Sequence, residues 1–259
     1  MSTRAQQYAA VVTDRTALSP HLVRLTLTVP GFASTTIPDE WVGLVVPGQF
    51  QSRYYTVGSI EAERLVLDVV VHDVGLVTEW AAGDPVGDEV VVTEAKGSFL
   101  PPADAGWLLL VGDITALPAM ARIARERGGD LPTRVVAEVP DDTRLDGYFP
   151  DGVEVTWLPV PGDAASRLAE VVARLDFPEG PGYFWMAGES AQMRAIRKHL
   201  MRERALPSTH YDVMGYWRAV AQRRPRAVDP GPIWRAGKAA GKSDEEIWAD
   251  YDAAREAEG

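Results

Sequence analysis

The chain contains no cysteine. That absence excludes disulfides, thiolate metal sites and cysteine-held iron–sulfur clusters. Any electrons the protein moves must travel on an organic cofactor or on a substrate. Histidine is scarce too: four occur, at 21, 72, 199 and 210, and none forms a short ligand pair of the kind zinc enzymes use. No protein-held metal site is expected. Nowhere do about 18 apolar residues follow one another, and no apolar run of signal-peptide length opens the sequence, so no membrane association and a cytoplasmic location are expected. Positive charge is in the minority, with 26 Lys and Arg against 37 Asp and Glu and a net charge of −11. A field of that sign repels nucleic acid and anionic lipid, so neither is an expected partner, although a local basic pocket is compatible with it. Internal repeats and low-complexity tracts are absent.

What the sequence does have is the length and patterning of two domains. At 259 residues it is long for one core, given a usual domain size of about 100–200 residues. A hydrophobic fraction of 46% with 24% charged residues suits an ordinary globule. Period-2 alternation marks Leu22 to Pro30, where Leu22, Arg24, Thr26 and Thr28 alternate with Val23, Leu25, Leu27 and Val29. It recurs in Arg64 to His72, and an apolar run covers Asp88 to Thr93. With Pro30, Gly31, Pro47, Gly48, Gly83 and Gly87 as punctuation, these strands predict a small antiparallel β-barrel over residues 1–100.

The rhythm then changes. Trp107–Val111 is a fully apolar strand, Ala116–Arg127 reads as a helix and Arg134–Val139 as a strand. Val153–Val160, the helical Ala165–Leu175, Tyr183–Ala187, the helical Ala191–Arg204 and Tyr211–Tyr216 continue the alternation, which predicts a doubly wound parallel sheet over 101–218. Pro101-Pro102 reads as a hinge between the halves. A tail, 219–259, passes through Arg223-Arg224-Pro225-Arg226 to a capping box at Ser243-Asp244-Glu245-Glu246. Ile247, Trp248 and Tyr251 give the following helix an apolar stripe. The tail is therefore expected to be ordered and helical, whether it packs on its own domain, covers a site or contacts a second copy.

Four motifs carry chemistry. Arg53-Tyr54-Tyr55-Thr56-Val57, read as a strand, offers an arginine fork, a flat aromatic face and a hydroxyl in alternation on one face, a set suited to the phosphate, ring and ring edge of a flavin. Next come His72-Asp73-Val74-Gly75-Leu76-Val77-Thr78-Glu79-Trp80, then Gly112-Asp113-Ile114-Thr115-Ala116-Leu117-Pro118-Ala119, then Trp185-Met186-Ala187-Gly188-Glu189. In this order and spacing, over about residues 8–218, the set resembles the siderophore-interacting proteins, a branch of the ferredoxin-reductase-like flavoproteins.

The resemblance implies an N-terminal barrel that binds FAD, an α/β domain that binds NADH or NADPH, and reduction of a ferric siderophore with release of Fe(II). It assigns Arg53 to the FAD diphosphate, Tyr54, Tyr55 and Val57 to the flavin strand, and Thr56 to the reactive ring edge. Gly75, Leu76, Val77 and Thr78, with Val74 before and Trp80 after, would receive a second phosphate on backbone amides at a helix start. His72 is open between the cofactor's ribityl or adenine side and a structural strand end. Gly112, Asp113, Thr115, Ala116 and Pro118 would receive nicotinamide cofactor at the end of the first parallel strand, with Thr115 also near the flavin edge and Gly188 and Glu189 closing the crevice. Glu138 suits a ribose 2′-hydroxyl, which leans toward NADH. No residue is required as acid or base, because the flavin itself bridges hydride and one-electron chemistry.

Anionic ferric complexes call for a basic substrate crevice, with Lys96, Arg204 and Arg218 as candidates. Arg194, Arg197, Lys198 and Arg202 read instead as the solvated face of a helix. Three motifs depart from the family pattern: Gly58 where it has arginine, Leu76-Val77 where it has Pro-Ala, and Ile114 where it has glutamate. The readings left open are a general NAD(P)H:flavin oxidoreductase or electron-transfer component, a ferredoxin as donor, and a binder of flavin or siderophore without turnover.

Overall fold

Valine and leucine alternating with polar residues form strands whose inward faces need a common core, and in the first half six of them close on one another. The computed structural model describes residues 6–49, 51–72, 75–143, 145–160, 166–218 and 230–257. The strands β1 (Gln7–Ser19), β2 (Leu22–Thr28), β3 (Trp41–Val45), β4 (Arg53–Glu61), β5 (Arg64–Val70) and β6 (Glu89–Thr93) form a closed antiparallel barrel in the order β1-β2-β5-β4-β3-β6. Val23, Leu25 and Leu27 from β2 meet Val42, Leu44, Val57, Leu65, Leu67, Val69, Val90 and Val92 inside it. Closure leaves no open sheet edge. The periodicity did not signal β1 or β3. The inward residues of β1 are Tyr8, Ala10 and Val12, two of them small, and β3 is five residues interrupted by Gly43. The short helix α1 (Leu76–Ala82) plugs one flank of the barrel through Val77 and Ala81, and Arg15 donates to the carbonyls of Ala81 and Ala82 at its C-terminal end.

The outer face of β2 is not solvated. Leu22 belongs to the core of the second half, and Arg24 makes a two-pronged ion pair with Asp68 at 2.7 and 2.8 Å, to which the Tyr148 hydroxyl also donates at 2.6 Å. The second half is a parallel sheet in the order β11-β10-β7-β8-β9. Its strands are β7 (Leu108–Asp113), β8 (Thr133–Val139), β9 (Glu154–Pro159), β10 (Tyr183–Glu189) and β11 (Tyr211–Trp217). Alternation splits β7 between two layers. Leu108 and Leu110 pack under α2 (Leu117–Arg127), while Leu109 and Val111 pack under α3 (Leu168–Arg174) and α4 (Met193–Arg202). The chain thus has the barrel plus doubly wound sheet that its periodicities predicted.

Two polar anchors fix the halves to each other. Arg122 on α2 donates to Glu40 Oε1 (2.9 Å) and to the Val57 carbonyl on β4 (3.0 Å), with both side chains buried. Asp39, 0% exposed, accepts from the amides of Ser98 and Phe99 at 2.9 Å each and from Trp185 Nε1 on β10 at 3.2 Å. The linker is therefore fastened just before the Pro101-Pro102 pair. The tail folds as a hairpin of α5 (Pro230–Ala239) and α6 (Asp244–Ala257). Ser243 and Glu246 form the reciprocal cap read from sequence, and Ile247 packs so closely on Gly237 that a β-carbon there would lie 2.4 Å from it. Helix α5 was not foreseen, although Pro230 and Pro232 in its first turn are compatible with a helix start. The arginine run 223–226 lies outside the described residues.

Candidate functional site

The parallel sheet reverses its strand order at β7, with β8 and β9 on one side and β10 and β11 on the other. The crevice beyond the C-terminal ends of β7 and β10 is where open sheets of this kind receive ligands. Here the barrel strand β4 faces that crevice, and a cleft of about 1510 Å³ runs between the two halves. Pockets for one drug-sized ligand span roughly 300–1,000 Å³. This one has room for an extended dinucleotide, or for cofactor and substrate together.

Arg53, Tyr54, Tyr55 and Thr56 all line the cleft, but not as one alternating face. The pleat divides them. Val57 is wholly inside the barrel core and Tyr55 leans on that core, while Tyr54 is 68% exposed over the cleft and Thr56 sits at its floor. Val57 serves the site through its backbone, held by Glu40 and Arg122. Burial pushes the Tyr55 phenol up to about 12, so it stays neutral. The hydroxyls of Thr56 and Tyr216 are buried together at the cleft and have no partner beyond each other. One hydrogen bond between two hydroxyls leaves donor and acceptor capacity for a ligand, and buried capacity left unmet costs about 1–3 kcal/mol.

The loop before α1 is organised differently from the sequence reading. Gly75 has the positive φ of 141° that glycine alone tolerates well. Its amide is taken by the Glu79 carboxylate at 3.3 Å, and the Thr78 hydroxyl is spent on the His72 backbone, accepting from its N–H at 2.7 Å. Val77 and Thr78 are buried, and Trp80 donates to Asp88 at 2.8 Å. Of the described residues of this motif only His72 lines the cleft; Gly75, Leu76, Val77, Thr78 and Trp80 do not, and Asp73 and Val74 lie outside the described residues.

At the sheet end, Gly112 admits the close approach that places Asp113: a β-carbon on it would lie 2.4 Å from Ala116 Cβ. Asp113 is 5% exposed and caps its own turn, accepting the Thr115 amide at 2.9 Å and its hydroxyl at 2.5 Å. That amide is thereby used internally. Trp217 Nε1 donates to the other carboxylate oxygen at 2.6 Å, and a β-carbon on Gly188 would lie 2.7 Å from it, so β7, β10 and β11 converge on this one group. Burial pushes the Asp113 carboxyl up and Glu138 adds to the push, while Thr115 and Trp217 hold it back. Ile114, Thr115 and Pro118 line the cleft, and Ala116 is buried beneath them. Glu138 also lines it, with Oε1 accepting the Arg167 amide at 2.9 Å. Glu189 is buried off the cleft, its Oε2 unpartnered.

The proposed basic residues separate. Arg218 lines the cleft; Lys96 is exposed and does not line it, its backbone bridged to Trp41, which does. Arg204 is a correction: it donates to the Leu175 carbonyl (2.6 Å) and lies over the Phe177 ring at 4.7 Å, on the α3–α4 side, because those groups complete the end of α3. Arg197, assigned to a solvated helix face, instead lines the cleft and donates to the Val213 carbonyl. Trp41, Ser98 and Asp212 are cleft residues that no local motif announced.

The barrel joined to a parallel sheet, with its cleft at the switch point, is a two-domain fold shared with the ferredoxin reductase in carbazole 1,9a-dioxygenase, at a TM-score of 0.69 and 17% identity over 83% of this chain and 70% of that one. Residues 105–220 match the family model described as siderophore-interacting protein. That match covers less than half of the chain and falls on its parallel-sheet half. The crystal structure of a siderophore utilization protein from T. fusca has a TM-score of 0.72 with this chain at 28% identity, covering 86% of this chain and 97% of that one. The mycobactin import ATP-binding/permease protein IrtA of Mycobacterium tuberculosis is 28% identical over 87% of this chain and 28% of its own length. The ferric vibriobactin reductase ViuB of Vibrio cholerae is 29% identical over 64% of each. The chain spans less than a third of the length of the first curated relatives it matches.

Proposed function

We propose that this chain is a flavin-dependent oxidoreductase that reduces ferric siderophores, with FAD in the interdomain cleft and NADH or NADPH as donor. Residues 1–100 hold FAD, 101–218 receive the nicotinamide cofactor and 219–259 form an accessory hairpin. The observation that carries the reading is the cleft itself, which sets the Arg53–Thr56 strand against the ends of β7 and β11. The residues fit a flavin: aromatic walls from Trp41, Tyr54 and Trp217, and the buried Thr56 and Tyr216 hydroxyls, with capacity beyond each other, for the polar edge of a ring. When bound, FAD supplies the conversion of a two-electron hydride into single electrons for Fe(III).

Arg53 pairs with the diphosphate through charge-assisted hydrogen bonds. Trp217, fixed by Asp113, covers the cleft and limits water. Glu138 offers its remaining acceptor capacity to a ribose hydroxyl. Arg197 and Arg218 supply positive charge for an anionic ferric complex in an otherwise acidic protein. Cytoplasmic iron release follows from the same reading: hard oxygen donors hold Fe(II) far less tightly than Fe(III). No described helix is long and apolar enough to cross a membrane.

A second donor class is favoured by one observation, the Thr115 amide being consumed by Asp113 beside Ile114. That leaves fewer free groups for a nicotinamide diphosphate and suits a ferredoxin instead. The test is the anaerobic visible spectrum of the purified protein. A yellow flavin band that bleaches with NADH or NADPH and returns on adding a ferric siderophore supports the reading. A bound flavin that stays oxidised with both nucleotides and bleaches with reduced ferredoxin transfers the donor role. A protein that takes up no flavin refutes it.

A further inference from the structure

Helix α4 carries a stripe of positive charge and no acidic residue of its own. Arg194, Arg197, Lys198, Met201 and Arg202 fall at i, i+3, i+4, i+7 and i+8, which is one side of a helix, and all five are exposed. The opposite side, Met193, Ile196 and Leu200, is buried in the core shared with α3. Elsewhere on the surface Arg134, Arg174, Lys238 and Lys242 each meet a carboxylate. Among the described residues Arg194, Lys198 and Arg202 meet none, and Glu203, the next acid along the chain, is taken by His199 at 2.9 Å.

The stripe reaches the cleft. Arg197 lines it and is anchored on the Val213 carbonyl of β11. From Arg194 to Arg202 the stripe covers about 12 Å along the helix axis, and Met201, 53% exposed, lies among its cations. The rest of the chain is more acidic than the whole, since the net charge of −11 already includes these four cations. A long polyanion or an anionic membrane would extend past the stripe and meet that negative charge. The apolar side that a lipid-binding helix needs is already inside the core. A small acidic protein can touch the stripe alone.

We propose that the α4 stripe docks a small acidic one-electron carrier protein, which delivers electrons to FAD in the adjoining cleft. This rests on the flavin-reductase reading and gives its second donor class a surface. The contact is small and charge-steered, as electron-transfer encounters are, with Met201 as its apolar centre. Two carriers in succession are each oxidised by one electron. The flavin gains those two electrons with two protons from water, and two Fe(III) complexes are then reduced to Fe(II) as the protons return to solvent.

The probe is an acidic ferredoxin with a two-iron cluster, and its binding in the oxidised form is measured by calorimetry at low and high salt, which needs no turnover. Binding should be detectable at low salt and weaken as salt rises. Arg194→Glu with Lys198→Glu should weaken it at least about tenfold. Arg64→Glu with Arg127→Glu changes the net charge equally at exposed positions away from α4, Arg127 lying on α2 across the sheet, and should leave the affinity within about twofold. Equal losses in the two double variants, no loss in either, or no binding by the unaltered protein overturns the docking surface. Phosphatidylglycerol vesicles are the second probe. Binding to them that is abolished by the α4 changes assigns the stripe to lipid and overturns the carrier. A protein that binds flavin and bleaches with NADH yet takes no ferredoxin loses this inference alone. One that takes up no flavin loses the reductase reading as well.

Discussion

Replacing Arg122 by methionine keeps much of the side chain's apolar stem and removes its charge from a buried pair. Glu40 is 0% exposed and Arg122 6% by side chain. The change removes the 2.9 Å bond to Glu40 and the 3.0 Å bond that holds the Val57 carbonyl. The pair to Glu126, itself 40% exposed, adds no more than about 0.5 kcal/mol. Breaking a buried pair from one side costs about 3–5 kcal/mol, because the remaining charge stays desolvated. For a chain of this size that corresponds to a fall in Tm of roughly 6–20 °C.

Glu40→Gln combined with Arg122→Met should cost less than the two single changes summed, with a coupling of at least about 1.5 kcal/mol. The assay is denaturant unfolding of all four proteins. A single-variant loss under about 1 kcal/mol, or additivity within about 0.5 kcal/mol, refutes the clamp. The pH dependence follows the same pair. Burial alone would raise Glu40, but hydrogen bonds from Ser34, Thr35 and Arg122 outweigh it and hold its carboxyl below the ordinary value. A folded value below the unfolded one gives stability that is full above about 4.5 and lost as pH falls through the folded value, so Glu40→Gln should flatten acid unfolding. Because Val57 belongs to β4, loosening the clamp should also weaken ligand binding along Arg53–Thr56.

Three further outcomes are expected. Arg53→Ala removes charge-assisted bonds of about 1.5–3 kcal/mol and should weaken FAD binding roughly 10- to 150-fold in fluorescence titrations without changing Tm of the apoprotein. Gly112→Ala drives a β-carbon to 2.4 Å from Ala116 and 2.9 Å from the Ala187 carbonyl, which should cost about 1–3 kcal/mol or more. Gly129→Ala, with nothing within 4 Å of the new carbon, is the neutral control in the same thermal scan. Trp217→Phe removes the 2.6 Å donor to Asp113, at about 1–3 kcal/mol. The Asp113 carboxyl already sits above its ordinary value, so its stability contribution declines as pH rises through the folded value. The variant should steepen that decline, measured as denaturation midpoints at acid and neutral pH.

The barrel and the doubly wound sheet were legible because each half writes its own period: two along β2 and β5, and strand-helix alternation from Trp107 onward. Local chemistry was legible for the same reason. The α6 cap needs only Ser243 and Glu246, three residues apart, and the Asp113 turn needs only its neighbours. By itself the sequence determined these segments, the absence of any thiolate chemistry and the motif strand that lines the cleft.

What only the tertiary structure decided was which side chains meet. Arg24 meets Asp68 across 44 residues, and Arg197 read as solvated until β11 lay alongside α4. Arg204 read as a substrate ligand until Leu175, 29 residues away, claimed it. The Asp39–Ser98–Asp212 chain spans separations of 59 and 114 residues, and Trp217 reaches Asp113 across 104. Such contacts leave no period in the sequence. They exist because strand order sets neighbours in space, and burial there changes what a carboxylate, a hydroxyl or an arginine can do.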